Sequence, residues 1–196
     1  MQSTVMTALV SLAATMMMAN SAALAQKHGA SSAALDAKIA SGNYTSEELA
    51  NIDTALRMIS AKRPPSPAEM AEFFTKNYKL TRAGMDTFHS MTGQGPLSEG
   101  SYTETSMNDR KDEVLDLIAK GNRVWVYFIV RGHHTGTFFR QPATGKPISV
   151  HETAFLTFNN DHKIDEAHFE LEELELARQI GVPIGLTREP AAPTGH

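Results

Sequence analysis

The sequence predicts an α+β domain, and three observations carry that expectation. Apolar residues recur at helical spacing through the first half of the chain. Runs of β-branched and aromatic residues fill the second half. A short amphipathic segment then closes it. Helices first and strands afterwards argue for layers of helix on an antiparallel meander, not for a parallel α/β sheet.

The chain has 196 residues, 41% of them hydrophobic and 20% charged, which is enough for one domain with a proper core. The formal net charge of −4 and the lack of a basic run argue against a nucleic-acid partner. The sequence has no cysteine, which excludes disulfides, thiolate nucleophiles and Cys-based zinc sites.

Thr7 to Met18 is an apolar run too short to span a bilayer as a helix. Ala23-Leu24-Ala25 follows it as a small-x-small cleavage signature, and then Gln26. This pattern predicts a signal peptide over residues 1–25 and a periplasmic or secreted mature protein with no membrane segment. The segment before the run holds no Lys or Arg, and an ordinary apolar N-terminal helix is the alternative reading.

Residues 26–65 read as a helical extension. Ala33 to Ala40 forms a short helix ended by Ser41-Gly42-Asn43. Thr45 or Ser46 caps the next helix, with Glu48 at the capping-box position and Leu49, Ile52, Leu56 and Ile59 at helical spacing. Lys62-Arg63-Pro64-Pro65 stops it. The main domain is expected over residues 66–183. Ser66-Pro67 opens a helix with Met70, Phe73 and Phe74 on its apolar side, and a further helix is expected from Thr81 to Met91. The stretch Thr92 to Asp109 is rich in Gly, Ser and Thr and reads as a long loop.

Val114 to Ile118 is too short to assign by period. Val124 to Val130 is a strong β run, Ile148 to Phe158 alternates, and Ile164 to Leu171 is a third strand. Glu172 to Ile180 is helical and is stopped by Gly181 and Pro183. Residues 184–196 form a Pro- and Ala-rich flexible tail. No Gly-rich phosphate loop follows a strand.

Several segments taken in order resemble the SnoaL-like polyketide cyclase family of the nuclear-transport-factor-2-like superfamily. They are Leu117 to Val124, then Arg131-Gly132-His133-His134-Thr135-Gly136-Thr137-Phe138, then Pro142-Ala143-Thr144-Gly145-Lys146. Lys163 to His168 and Arg178-Gln179-Ile180-Gly181 complete the series. The resemblance implies a cone: a curved antiparallel sheet wrapped by N-terminal helices, with an internal pocket. It also implies a homodimer or higher homo-oligomer and cofactor-free chemistry. The family's Trp is His168 here, its following Asp aligns with Glu172, and its Asp in the opening turn is Asn122.

Five of the eight histidines fall between His133 and His168. If Phe158 pairs with Ile164, as the family pattern implies, even-numbered residues share one strand face. Glu152, His168 and Glu170 would then line one zone of the cavity. A His–carboxylate cluster on a half-apolar wall suits proton transfer near neutral pH. Glu172, His168 and Glu170 are therefore the candidate catalytic groups. Glu152, His134, Trp125 and Tyr127 are the candidate substrate-binding groups. Solvated sheet residues and core aromatics are the bland alternative for each of them. His134, His168, Glu152 and Glu170 are zinc-ligand types, but no closed ligand set is visible and no metal or other cofactor is expected.

Two functions stay open, each with a hydrophobic small molecule as partner. One is cyclisation, isomerisation or dehydration of a hydrophobic carbonyl compound. The other is non-catalytic binding of an apolar ligand.

Overall fold

A computed structural model describes residues 33–61, 65–85, 87, 107–138 and 141–182. The expected signal peptide and C-terminal tail lie outside the described residues, as does nearly all of the expected loop.

Helix α1 spans Ala33–Ser41 and α2 spans Ser46–Ser60. Thr45 caps α2 as expected: its hydroxyl accepts the Glu48 N–H at 3.2 Å, and the Glu48 carboxylate accepts the Thr45 N–H at 2.9 Å. The second Glu48 oxygen accepts the Gly121 N–H at 2.8 Å, so one side chain ends a helix and anchors a distant turn. These bonds hold the Glu48 carboxyl below its ordinary pKa, with the Thr45 backbone bond contributing most. Helix α3, Pro67–Phe73, has its own capping box from Ser66 and Glu69.

Strand β1 (Phe74–Thr81) follows at once, then β2 (Lys111–Lys120), β3 (Arg123–His133), β4 (Pro147–Phe158) and β5 (Ile164–Leu171). Helix α4, Glu173–Ile180, closes the series and ends at Gly181 in the left-handed region, φ 88°. The sheet order is β1-β5-β4-β3-β2. Strands β2 to β5 form the expected antiparallel meander, and β1 adds to β5 in parallel, so the sheet is mixed.

Two differences from the sequence expectation have physical causes. Strand β1 has a mostly exposed pattern and lies at the sheet edge, where no apolar alternation is needed to bury it. It runs through Thr81, where a helix was expected to begin. Residues 83–85 and 87 are helical, and the rest of that expected helix lies outside the described residues. The ambiguous Val114 to Ile118 run belongs to β2, whose pairing with β3 shifts between Val114 and Asp116.

One face of the sheet packs on the helices. Ile52, Leu56 and Ile59 of α2 join Leu117, Val126, Leu156 and Ile164 in a single core cluster. Burying such side chains contributes about 1.5–3 kcal/mol each. The other face is open, and the two faces divide the candidate site.

Candidate functional site

Along β4 the even-numbered residues point inward, and Glu152 sits among them with 1% exposure. A carboxylate at such a depth needs compensation. Arg82, just past β1, reaches its Oε1 at 2.6 Å, and Arg110, just before β2, reaches its Oε2 at 3.0 Å. Arg110 also makes a two-point contact with Asp112 at 2.8 and 2.9 Å. The Arg82 guanidinium lies 5.0 Å over the Phe169 ring. The inner wall therefore holds two arginines and two carboxylates locked to one another. Both oxygens of Glu152 are thus committed to guanidinium groups.

The face shared by the candidate residues needs correction. Phe158 does pair with Ile164, but the register shifts there, and Thr157 pairs with Glu166. One residue is absorbed, so parity reverses along β5. Ala167 and Phe169 point inward, opposite Leu156 and Ala154. His168 pairs with Phe155 and Glu170 with Thr153, on the outer face. The sheet thus separates Glu152 from His168 and Glu170, which were expected to share a zone.

The outer face nevertheless gathers most of the candidates. His168 Nε2 contacts Glu170 Oε1 at 2.7 Å, and its ring lies 6.2 Å from that of Phe155. His151 Nδ1 meets Glu172 Oε2 at 3.1 Å, and the same carboxylate accepts the His151 N–H at 2.9 Å. Trp125, Tyr127 and His151 stack in sequence, at 6.1 and 5.2 Å between centroids. The histidines and carboxylates of these pairs keep between 37% and 48% of their side-chain surface in solvent.

His134 stands apart from both groups. It is fully buried just beyond β3, and its Nδ1 faces Thr144 Oγ1 at 3.0 Å and accepts the Thr144 N–H at 3.3 Å. An accepting Nδ1 puts the ring proton on Nε2, which has no hydrogen-bond partner among the described residues. Burial pushes the pKa of this ring down, which keeps it neutral. Backbone bonds from His134 to Lys146 and Gly145 complete the clasp, so this side chain holds the β3–β4 connection together.

One acidic group was missed. Glu173, the first residue of α4, lays its carboxyl against Gly84, where an added Cβ would fall 2.4 Å from its Oε1. Burial raises its pKa, and the charges of Glu170 and Glu152 add to the rise. The signal was a run of three acidic residues around a helix start, Glu170, Glu172 and Glu173. The sequence reading chose Glu172, and helix phase turns its neighbour inward instead.

Among the described residues, no three His, Asp or Glu side chains converge on a position that could hold a metal ion.

The SnoaL-like polyketide cyclase family matches residues 66–180, more than half of the chain. This chain belongs to that family. Several solved structures share the fold. A candidate SnoaL-like polyketide cyclase from Jannaschia sp. CCS1 superposes with a TM-score of 0.59 at 15% identity, over 72% of this chain and 99% of the other. The candidate polyketide cyclase IdmH from Streptomyces antibioticus gives 0.53 at 18% identity, over 67% and 99%. A phenazine biosynthesis-related protein from Pseudomonas aeruginosa gives 0.53 at 14%, over 77% and 93%. At these identities the likeness speaks for the fold alone. No protein of curated function matches the sequence.

Proposed function

We propose that this SnoaL-like protein binds a hydrophobic small molecule on the helix-covered side of its sheet, next to the Arg82–Glu152–Arg110 cluster, and holds it without turnover. The observation that carries this reading is the state of Glu152. It is a fully buried carboxylate on the inner side of the sheet, and both of its oxygens are committed to arginines. A clamp of that kind orients a polar end of a ligand better than it moves a proton. The outer-face residues His168, Glu170 and Glu172 are half solvated, which supports them poorly as proton-transfer groups.

The test is mass spectrometry of compounds released from the purified protein. A stoichiometric apolar compound that returns unchanged after incubation supports the proposal. Release of a chemically converted product refutes it.

Glu173 favours a second reading. A carboxyl that holds its proton to higher pH, under the influence of the buried Glu152 and of Glu170, suits a general acid in cofactor-free chemistry on a carbonyl compound. In that reading Glu173→Gln abolishes turnover while ligand retention persists.

We also propose export, on Thr7 to Met18 and Ala23-Leu24-Ala25. N-terminal sequencing of the mature protein should begin at Gln26, and a mature chain beginning at Met1 would refute cleavage.

A further inference from the structure

The outer face of the sheet carries two adjoining rows of opposite character near the β2–β3 turn. Ile118 pairs with Trp125, and Trp125 with Phe155, which makes one row apolar across β2, β3 and β4. Ile118 is 55% exposed and Phe155 50%, with the half-buried Trp125 between them. In the next row Lys120 pairs with Arg123, and Arg123 with Thr157. The rows lie about 7 Å apart along the strands, because side chains on one face recur at every second residue. These six side chains line a groove of about 310 Å³, a size that suits a small ligand.

The cations of the second row are available to a ligand. Arg123 has no ion pair among the described residues. The Lys120 side chain is 91% exposed and meets Glu48 only at 3.6 Å. That carboxylate already accepts the backbone N–H groups of Thr45 and Gly121. Farther along the row, Glu166 pairs with Thr157 across the strands, but its carboxylate is turned to Lys79 at 3.1 Å. Excess positive charge therefore stands beside uncovered aromatic surface.

We propose that this groove is a second ligand site, which binds a small aromatic carboxylate. The ring of the ligand rests on Trp125, Phe155 and Ile118. Its carboxylate reaches one row further, to the Arg123 guanidinium, whose planar fork suits two-point contact with such a group. Lys120 adds a second positive charge, and the Thr157 hydroxyl a donor. The apolar body supplies most of the affinity, and the cationic row selects the anion over a neutral compound of the same shape. The sheet lies between this groove and the Arg82–Glu152–Arg110 cluster, so either site can fail without the other.

Trp125 is the only tryptophan in the sequence, so its fluorescence reads the groove directly. Titration of the full chain with phenylbutyrate should give a saturable change, and the neutral phenylbutanol should bind about 5-fold more weakly or worse. Arg123→Gln should weaken phenylbutyrate about 5- to 10-fold and leave phenylbutanol within about 2-fold. Phe155→Ser should weaken both compounds by similar factors. Its far-UV circular dichroism should be unchanged, because that side chain is half exposed. Added salt should weaken the carboxylate alone. No saturable change up to millimolar phenylbutyrate overturns the proposal, whether the groove stays empty or another chain covers it. Equal affinity for the acid and the alcohol also overturns it. So does a phenylbutyrate response that Arg123→Gln leaves intact, because the probe then sits elsewhere.

Discussion

Replacing Glu152 by Gln tests the inner-wall cluster directly. The substitution keeps shape and volume but removes the negative charge that Arg82 and Arg110 share at 2.6 and 3.0 Å. Breaking a buried ion pair from one side typically costs about 3–5 kcal/mol, because the partner charge is left uncompensated. Here Arg110 keeps its two contacts with Asp112, and Arg82 keeps the Phe169 ring. The expected loss is therefore nearer 2–3 kcal/mol. For a domain of this size that lowers Tm by roughly 4–12 °C. Urea unfolding followed by circular dichroism gives the free energy, with an unchanged m-value showing that the denatured state is not the cause. The double variant Glu152→Leu/Arg110→Met should cost less than the two single changes added together, since it removes both charges at once. A loss below about 0.5 kcal/mol for Glu152→Gln, or strict additivity in the double variant, would refute the claim that this cluster is a coupled buried unit.

Other outcomes follow from the same geometry. Glu48 has a pKa below its unfolded value, so its stabilisation is present above about pH 4.5 and is lost as pH falls through the folded value. Glu48→Gln should lower stability by about 1–2 kcal/mol at pH 7 and flatten the acid limb of the stability–pH curve. Glu173 behaves oppositely: its folded pKa is raised, so the native state binds more protons and stability falls as pH rises from about 4.5 through the folded value. Glu173→Gln should therefore be at least as stable as the parent chain at pH 7 by thermal melt, and a clear loss there would contradict the burial of its charge. Gly181→Ala should cost about 1 kcal/mol, because φ is 88° and the Lys146 ammonium lies 3.1 Å from an added Cβ. His134→Ala should open the Pro142 to Lys146 connection, which hydrogen exchange at Gly145 and Lys146 would report as faster exchange.

Much of the fold was legible because local rules agreed with the tertiary result. The Thr45–Glu48 capping box, Pro67 at the first helical position, and the alternation of β4 each specify their element with little outside help. Strand β1 was not legible, since an edge strand such as Phe74–Thr81 buries too little to impose a pattern. The candidate site was half legible. Residue types and their approximate strand placement came through, and Trp125, Tyr127, His168, Glu170 and Glu172 do lie near one another. What the sequence hid was a single absorbed residue near Asp165, which moved His168 and Glu170 to the other side of the sheet from Glu152. The two arginines that bind Glu152 were also hidden. Arg82 and Arg110 are 70 and 42 residues from it, and only the folded sheet brings them together.

The central claim is that the inner wall holds a ligand without moving its protons. Deuterium incorporation reads this directly. The compound retained by the purified protein is incubated with it in D₂O, released, and weighed by mass spectrometry against the same compound in buffer alone. The account predicts a bound compound whose carbon-bound deuterium matches the buffer control. Faster incorporation with the protein, abolished by Glu173→Gln, would contradict it and establish acid/base turnover in its place.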